Sequence, residues 1–380
     1  MNENTTVMII AGEVSGDLLG AELSVELKNI NRNLNLTGIG GDRMKQAGVE
    51  IIYHINKLAF LGFAEVIKHL PFIKKVQNEL IEIIKEKNIR NIILIDYPGF
   101  NLNFAKKVKQ LGVKVIYYVS PQVWAWGKGR IKRIKNLVRK IYVVFPFEEE
   151  LYRNEGVDVE FVGHPLLERI NNYDFLPKER FFSKFNLNPE KEILLVLPGS
   201  RKHEIQKIFP ETIKAALKLA VEFNMQVVVA GASGIDENLF KEIYDEKNYS
   251  IIKEHNYELM KYAKFGIIKS GTSTLEAGLF GLPMIIVYKT SLLTYFIGKN
   301  LVNVKNIGMA NIISGEEIVP ELIQDKVNAE QIYSESKKIL ENDILYNSIR
   351  TKLLNINQKL GEKGAVRKTA ESIIQLLNES

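Results

Sequence analysis

Short runs rich in Val, Ile and Leu recur at residues 7–10, 91–95, 113–119 and 141–144, and again at 193–197, 226–230, 265–268 and 284–288. Each is bounded by turn residues and followed by a stretch with helical spacing of its apolar positions, so the runs predict strands alternating with helices. That alternation implies parallel sheets wound on both faces. Between the two groups lies a polar, charged, Pro-containing stretch, roughly 164–192, with little strand signal. The chain is therefore expected to form two Rossmann-like α/β halves, 1–165 and 191–344, joined by a linker over 166–190. A C-terminal helix over about 345–380 is expected to pack back on the first half or on a partner. In open sheets of this kind ligands sit at the carboxyl ends of the strands, so two facing sheets would set a cleft between them.

Composition narrows the picture only by exclusion. The 380 residues are 46% hydrophobic and 25% charged, an ordinary folded chain. The absence of cysteine rules out a disulfide framework, a thiolate metal site and a cysteine nucleophile, and fits a reducing compartment. The apolar run at 5–10 is too short and lacks the basic lead of a signal peptide, and no run is long enough to span a bilayer, so a cytosolic chain is expected. A net charge of +6 does not point to nucleic acid. Neither half carries G-x-G-x-x-G or a Walker loop, which disfavours a nicotinamide cofactor and ATP hydrolysis.

Candidate chemistry collects just after the strands. Ser270-Gly271-Thr272-Ser273-Thr274-Leu275-Glu276 puts a glycine turn, several hydroxyls and one carboxylate at a helix start, suited to a phosphate at the free N–H groups and a ribose on Glu276. Ser273-x-x-Glu276 also matches a capping box, in which the two side chains only satisfy backbone donors. Gly199-Ser200-Arg201 repeats the strand, turn and helix start, with a guanidinium placed to neutralise a diphosphate leaving group. In the first half, Gly12-Glu13-Val14-Ser15-Gly16-Asp17 follows the first strand and reads equally as a capped helix start. Asp96, ahead of Pro98-Gly99-Phe100-Asn101, is placed for proton abstraction or for a simple turn. Gln122, Trp124 and Trp126 lie in a Gly- and Pro-flanked loop whose aromatic faces suit a sugar or an apolar group. The basic run 128–140 reads as a solvated helix face or as a face toward phosphates of a substrate or acidic lipid. The segment 58–75, with Phe60, Leu61, Phe63, Val66, Ile67 and Leu70 broken by Gly62 and Pro71, reads as a buried helix or as a surface dipping into lipid.

Taken together and in order over nearly the whole chain, these motifs resemble the lipid A disaccharide synthases. Residues 11–20, 96–101, 120–130, 161–165, 197–204 and 270–283 carry the resemblance, with Gly308-Met309-Ala310-Asn311 and Glu317 to Leu322 after them. The resemblance implies a GT-B glycosyltransferase, peripheral on the cytoplasmic face of the inner membrane of a Gram-negative bacterium. It would join UDP-2,3-diacylglucosamine to 2,3-diacylglucosamine 1-phosphate, forming the β-1,6-linked disaccharide 1-phosphate and UDP with inversion. It further implies a homodimer with exchanged C-terminal segments, and lipid or acyl contact along 58–73. Gly99 stands where many relatives are expected to carry an acid, which leaves Asp96 as the better base.

On this reading Asp96 takes the acceptor's proton, and Arg201 with the Gly199 and Ser200 amides stabilises the leaving diphosphate. Ser270, Gly271, Thr272, Ser273 and Thr274 line the phosphates, Glu276 holds the ribose and Asn311 closes on the donor sugar. Glu13, Ser15, Gly16, Asp17, Asn101, Gln122, Trp124 and Trp126 shape the acceptor side. No metal and no separate cofactor is expected, the UDP-sugar being a substrate. The rivals are a UDP-GlcNAc 2-epimerase or other UDP-sugar enzyme, and a non-catalytic nucleotide-sugar binding protein.

Overall fold

A strand whose consecutive residues are all apolar must be covered on both faces, because alternate side chains point to opposite sides. The first strand shows how this is met in a computed structural model that describes residues 5–58, 69–121, 123–124, 129–245, 248–290 and 305–379. Strand β1 (Thr6–Ala11) sends Val7, Ile9 and Ala11 into a core with Leu23 and Leu27 of the helix Val14–Ile30. Its Met8 and Ile10 enter a second core, beneath the helices Leu70–Glu86, Pro98–Lys109 and Gly129–Leu137.

The chain divides into two units, one of residues 1–168 with 360–380, the other of residues 169–359. In the first, β1 joins β2 (Asn35–Gly40), β3 (Glu50–His54), β4 (Asn91–Ile95), β5 (Lys114–Tyr118), β6 (Lys140–Val143) and β7 (Val159–Phe161). They form a parallel seven-stranded sheet in the order β3-β2-β1-β4-β5-β6-β7. The second unit builds a parallel six-stranded sheet from β8 (Glu192–Leu197), β9 (Met225–Gly231), β10 (Tyr249–Lys253), β11 (Ala263–Lys269), β12 (Met284–Tyr288) and β13 (Glu321–Ile323). Its order is β10-β9-β8-β11-β12-β13.

The strands legible in the sequence are the contiguous centre of each sheet, β1, β4, β5 and β6 in one and β8, β9, β11 and β12 in the other. Those missed lie beside them toward the edges. β3 and β10 are mostly half-exposed, and β7 and β13 have three residues each, so their apolar signal is weak. Of the stretch 166–190, the helix Pro165–Asn171 leads out of the first unit, and the helix Lys178–Lys184 buries Phe181 and Phe182 in the second.

The C-terminal helix Ala365–Asn378 packs on the first unit, with Ala370 and Ile373 in the same core as Val7 and Ile9. Arg139 donates to the Leu376 carbonyl at 3.1 Å and pairs with Glu379 at 2.7 Å, and the Tyr142 hydroxyl donates to Ser372 Oγ at 2.8 Å. Because Ile373 is fully buried, Ile373→Ala should cost about 2–5 kcal/mol in urea unfolding. A loss below about 1 kcal/mol would mean that this helix is not seated on the sheet in solution.

Candidate functional site

In a parallel sheet the strand order reverses where successive crossovers leave in opposite directions, and the loops there part to open a crevice. The reversal falls between β1 and β4 in the first sheet and between β8 and β11 in the second. Glu13 and Asp96 follow the first pair of strands. Gly199 to Arg201 and Ser270 to Thr274 follow the second.

At the first reversal the backbone is strained. Asp96 and Tyr97 both hold left-handed conformations, φ 44° and 46°, and Val119 at the end of neighbouring β5 has φ 59°. A β-branched residue there is a true outlier, and such conformations persist only when their surroundings fix them. The fixing groups are on hand. Asn101 Nδ2 donates to the Ile95 carbonyl at 3.2 Å and to the Asp96 carbonyl at 2.7 Å, and the Tyr117 hydroxyl donates to the same Asp96 carbonyl. The Tyr97 ring lies where a side chain at position 12 would be, 2.1 Å from a Cβ built on Gly12, so only glycine fits there. Burial, and then the charge of Glu13, push the Asp96 carboxyl up to about 6. An acid of that kind is ionised at neutral pH yet a stronger base than an ordinary aspartate.

The other acceptor-side residues divide. Glu13 and Ser15 are exposed at the start of the helix Val14–Ile30, and Gly16 lets that helix approach Ala11. Asp17 turns inward: Oδ1 accepts from the amides of Gly41 at 2.6 Å and Met44 at 3.1 Å, Oδ2 from Arg43 at 3.2 Å. It caps the next helix, Asp42–Gln46, and its side chain is spent on that. Asn101 is likewise fully buried, its Nδ2 given to the Ile95 and Asp96 carbonyls while its Oδ1 has no hydrogen-bond partner among the described residues. Trp124 donates its indole N–H to Glu148 Oε1 at 3.2 Å and stands edge-on to Phe147. Glu148, missed in the sequence, is 1% exposed, and burial lifts its carboxyl to about 8 against the opposing Phe145 amide, Ser120 and Trp124. The signal available was Pro146 followed by an acid two residues on, a helix start whose Glu148 reaches back to the Phe145 amide at 3.3 Å.

Gln122, Trp126, Phe60, Leu61, Phe63, Val66 and Ile67 lie outside the described residues. Leu70 is exposed at the head of its helix, ahead of exposed Lys74 and Lys75. The basic run splits by role: Arg130, Lys132, Arg133 and Lys135 face outward, while Arg139 and Lys140 bind Glu379 and Glu160.

At the second reversal the helix Thr272–Leu279 starts two residues earlier than a Ser273 cap requires. Its cap is Gly271, in extended conformation and without a side chain to give, so the capping box does not form. The first-turn amides are left without a side-chain cap, and Thr272 and Ser273 are at least partly exposed beside them. Two neighbouring hydroxyls are committed: Ser270 donates to the Ile307 carbonyl at 2.8 Å, and Thr274 donates to the Gly271 carbonyl at 2.8 Å while accepting from the Met309 amide. Glu276, one turn in, is mostly buried. Burial raises its carboxyl, and the Arg169 charge and a hydrogen bond with Tyr257 oppose that rise. Both partners escaped the sequence reading, because they come from distant helices.

Gly199 has φ +126°, and a side chain there would meet Glu204 Oε2 at 2.7 Å. That oxygen accepts from the Ser200 amide at 3.2 Å, so this donor is engaged, whereas Arg201 is exposed at the cap of the helix Lys202–Glu222. Asn311 is fully buried, donating to the Val319 carbonyl and to Glu321, both at 2.8 Å, and accepting from the amides of Ile318 and Val319. Its side chain holds the segment 307–321 together with Glu321, which accepts from the amides of Ile307 and Gly308. Among the described residues no group of three or more His, Asp or Glu side chains is gathered to hold a metal ion.

Comparison with known proteins bears on these two crevices. The family profile described as Lipid-A-disaccharide synthetase matches residues 7–375. A Lipid-A-disaccharide synthase of Geobacter sulfurreducens is 38% identical over 384 residues, covering 100% of both chains. One from Coxiella burnetii is 37% identical, covering 98% of this chain and 99% of the relative. Among solved structures, a UDP-GlcNAc 2-epimerase from Neisseria meningitidis bound to UDP-GlcNAc aligns with TM-score 0.67 at 12% identity, covering 99% of this chain and 100% of that one. The kitacinnamycin glycosyltransferase aligns with TM-score 0.67 at 13% identity, covering 98% and 99%. At such identities the likeness is one of fold, the GT-B arrangement of two parallel-sheet α/β domains.

The raised Asp96 carboxyl carries a stability signature. Its contribution to folding is complete below about pH 4 and is lost as pH rises through about 6, because the buried site then has to hold a charge. Between pH 4 and 8 the wild type should lose roughly 3 kcal/mol that Asp96→Asn does not lose. A constant difference between the two proteins in urea unfolding across that range would contradict the burial of this carboxyl.

Proposed function

Because the chain belongs to the lipid-A-disaccharide synthetase family and is thus a glycosyltransferase of lipid A biosynthesis, we propose that it condenses UDP-2,3-diacylglucosamine with 2,3-diacylglucosamine 1-phosphate. The products are the β-1,6-linked disaccharide 1-phosphate and UDP. The observation that carries the mechanism is Asp96, which lies in a strained turn at the first reversal and is raised to about 6.

Its carboxylate takes the proton of the acceptor's 6-hydroxyl as that oxygen attacks the anomeric carbon of the donor, on the face opposite UDP. The bond from that carbon to the diphosphate breaks, its electron pair leaves with UDP, and the configuration inverts. Arg201 and the uncapped amides at the start of the helix Thr272–Leu279 take up the growing charge, since the Ser200 amide is already given to Glu204. Glu276, oriented by Arg169 and Tyr257, accepts the ribose hydroxyls. The UDP-sugar is a substrate, and no separate cofactor has a step to perform. The protein is read as peripheral on the cytoplasmic face of the inner membrane. Exposed Leu70 and the outward cations of the helix Gly129–Leu137 support that reading, and among the described residues no helix is long and apolar enough to cross a membrane. In a homodimer, the segment exchanged would be the helix Ala365–Asn378.

With both acylated glucosamines supplied and UDP release measured, Asp96→Asn should lower kcat by about 10²–10⁴ and leave the donor KM nearly unchanged. The wild-type rate should rise with pH through about 6, where Asp96 loses its proton. Near-normal turnover in the variant would remove Asp96 from the mechanism. Glu276→Ala should raise the donor KM roughly tenfold or more through lost charge-assisted hydrogen bonds, and an unchanged donor KM would end the ribose assignment. Conversion of the UDP-sugar without acceptor would indicate an epimerase instead.

A further inference from the structure

We propose that Lys269 is a further donor-binding residue, its ammonium held by Glu204 between the two glycine turns of the second unit to take up the diphosphate of the UDP-sugar. This rests on the donor assignment above and adds a residue to it.

Lys269 is the last residue of β11, and the preceding Ile268 pairs in register with Leu197 at the end of β8. Its side chain therefore rises where the turn after β8 and the turn after β11 come together. The ammonium lies 2.9 Å from Glu204 Oε1, in a pair whose side chains are only 21% and 11% exposed. It also stands 3.9 Å from a Cβ built on Gly271 and 5.9 Å from the centre of the Tyr288 ring. The other oxygen of Glu204 accepts from the Ser200 amide, and Glu204 fills the space a side chain at Gly199 would need. One carboxylate thus fixes the turn that carries Arg201 and aims a lysine at the turn that opens the helix Thr272–Leu279. Burial disfavours the ionised form of Glu204, but Lys269, the Ser200 amide and the Arg201 charge outweigh it and keep its carboxyl below the usual range.

The charges are unbalanced in the direction a diphosphate needs. Two cations, Lys269 and Arg201, act on a single carboxylate, and an ammonium has three donors of which Glu204 occupies one. A partly buried ammonium with donors to spare suits phosphate oxygens as a point charge, and the low local dielectric strengthens the attraction. The plain alternative is that Lys269 only braces the two turns. A brace would alter affinity by loosening the site, while a phosphate-binding cation also sets how strongly salt screens binding.

UDP binding by wild type, Lys269→Met and Lys269→Arg, measured by calorimetry from low to high salt, separates these. Lys269→Met should bind UDP roughly tenfold more weakly at low salt, as expected for one lost charge-assisted hydrogen bond, and its affinity should fall less steeply as salt rises. Lys269→Arg should keep the wild-type salt dependence. The double variant Lys269→Met with Glu204→Gln leaves no unpaired carboxylate in the site and should reproduce the flattened salt dependence, which guards against simple misfolding of the single variant. Unchanged UDP affinity in Lys269→Met overturns the proposal, as does weakened affinity with the wild-type salt dependence. Failure of the wild type to bind UDP at all would instead overturn the donor assignment on which it rests.

Discussion

Everything in this protein hangs on the reversal of strand order in two parallel sheets. Parallel strands need crossovers, and crossovers cover both faces of a sheet, so a crevice opens at the strand ends where neighbouring connections depart in opposite directions. In the first unit that point is set by β1 and β4, in the second by β8 and β11. Each is flanked by strands buried on both faces, and the rigidity of those cores lets short loops hold unfavourable geometry. The left-handed pair Asp96 and Tyr97 is one product of that support, and the side-chain-free turn at Gly199 is another.

Within this frame the acids of the chain have been given different work by their surroundings. Asp17 and Glu321 spend their oxygens on backbone amides and hold helix starts in place. Glu204 is kept ionised by Lys269 and ties two loops together. Asp96 has burial and a like charge against it and no cation beside it among its named influences, so its pKa rises to about 6, which makes its carboxylate a stronger base while leaving it ionised at neutral pH. Glu148 is driven further in the same direction and anchors Trp124 from beneath. The same carboxyl group is a cap, a brace, a base or an anchor according to how its desolvation is compensated.

The candidate site was legible wherever its chemistry is local. Gly199-Ser200-Arg201, the 270–276 turn and the Asp96 turn declare themselves by glycine, hydroxyl and charge spaced within a few residues of a strand end. What could not be read was the use each side chain makes of its neighbours. Ser273 and Glu276 looked like a reciprocal cap, but Gly271 begins the helix earlier and frees the carboxylate for Arg169 and Tyr257. Asn311 looked able to reach a ligand, yet four hydrogen bonds within its own segment absorb it. Asp17 looked like part of an acceptor pocket and serves a helix 24 to 27 residues away in sequence.

Sequence alone determined the alternation of strands and helices, the central strands of both sheets and the loops that carry the chemistry. These follow from hydrophobic burial and turn stereochemistry, which act over a few residues and are written in consecutive letters. Only the tertiary structure decided the edge strands, the seat of the last helix on the first sheet, and the partners of Asp96, Glu204 and Glu276. The reason is physical: the ionisation and direction of a carboxylate are fixed by desolvation and by charges a few ångströms off, and those neighbours are brought together by packing from positions the local sequence does not encode.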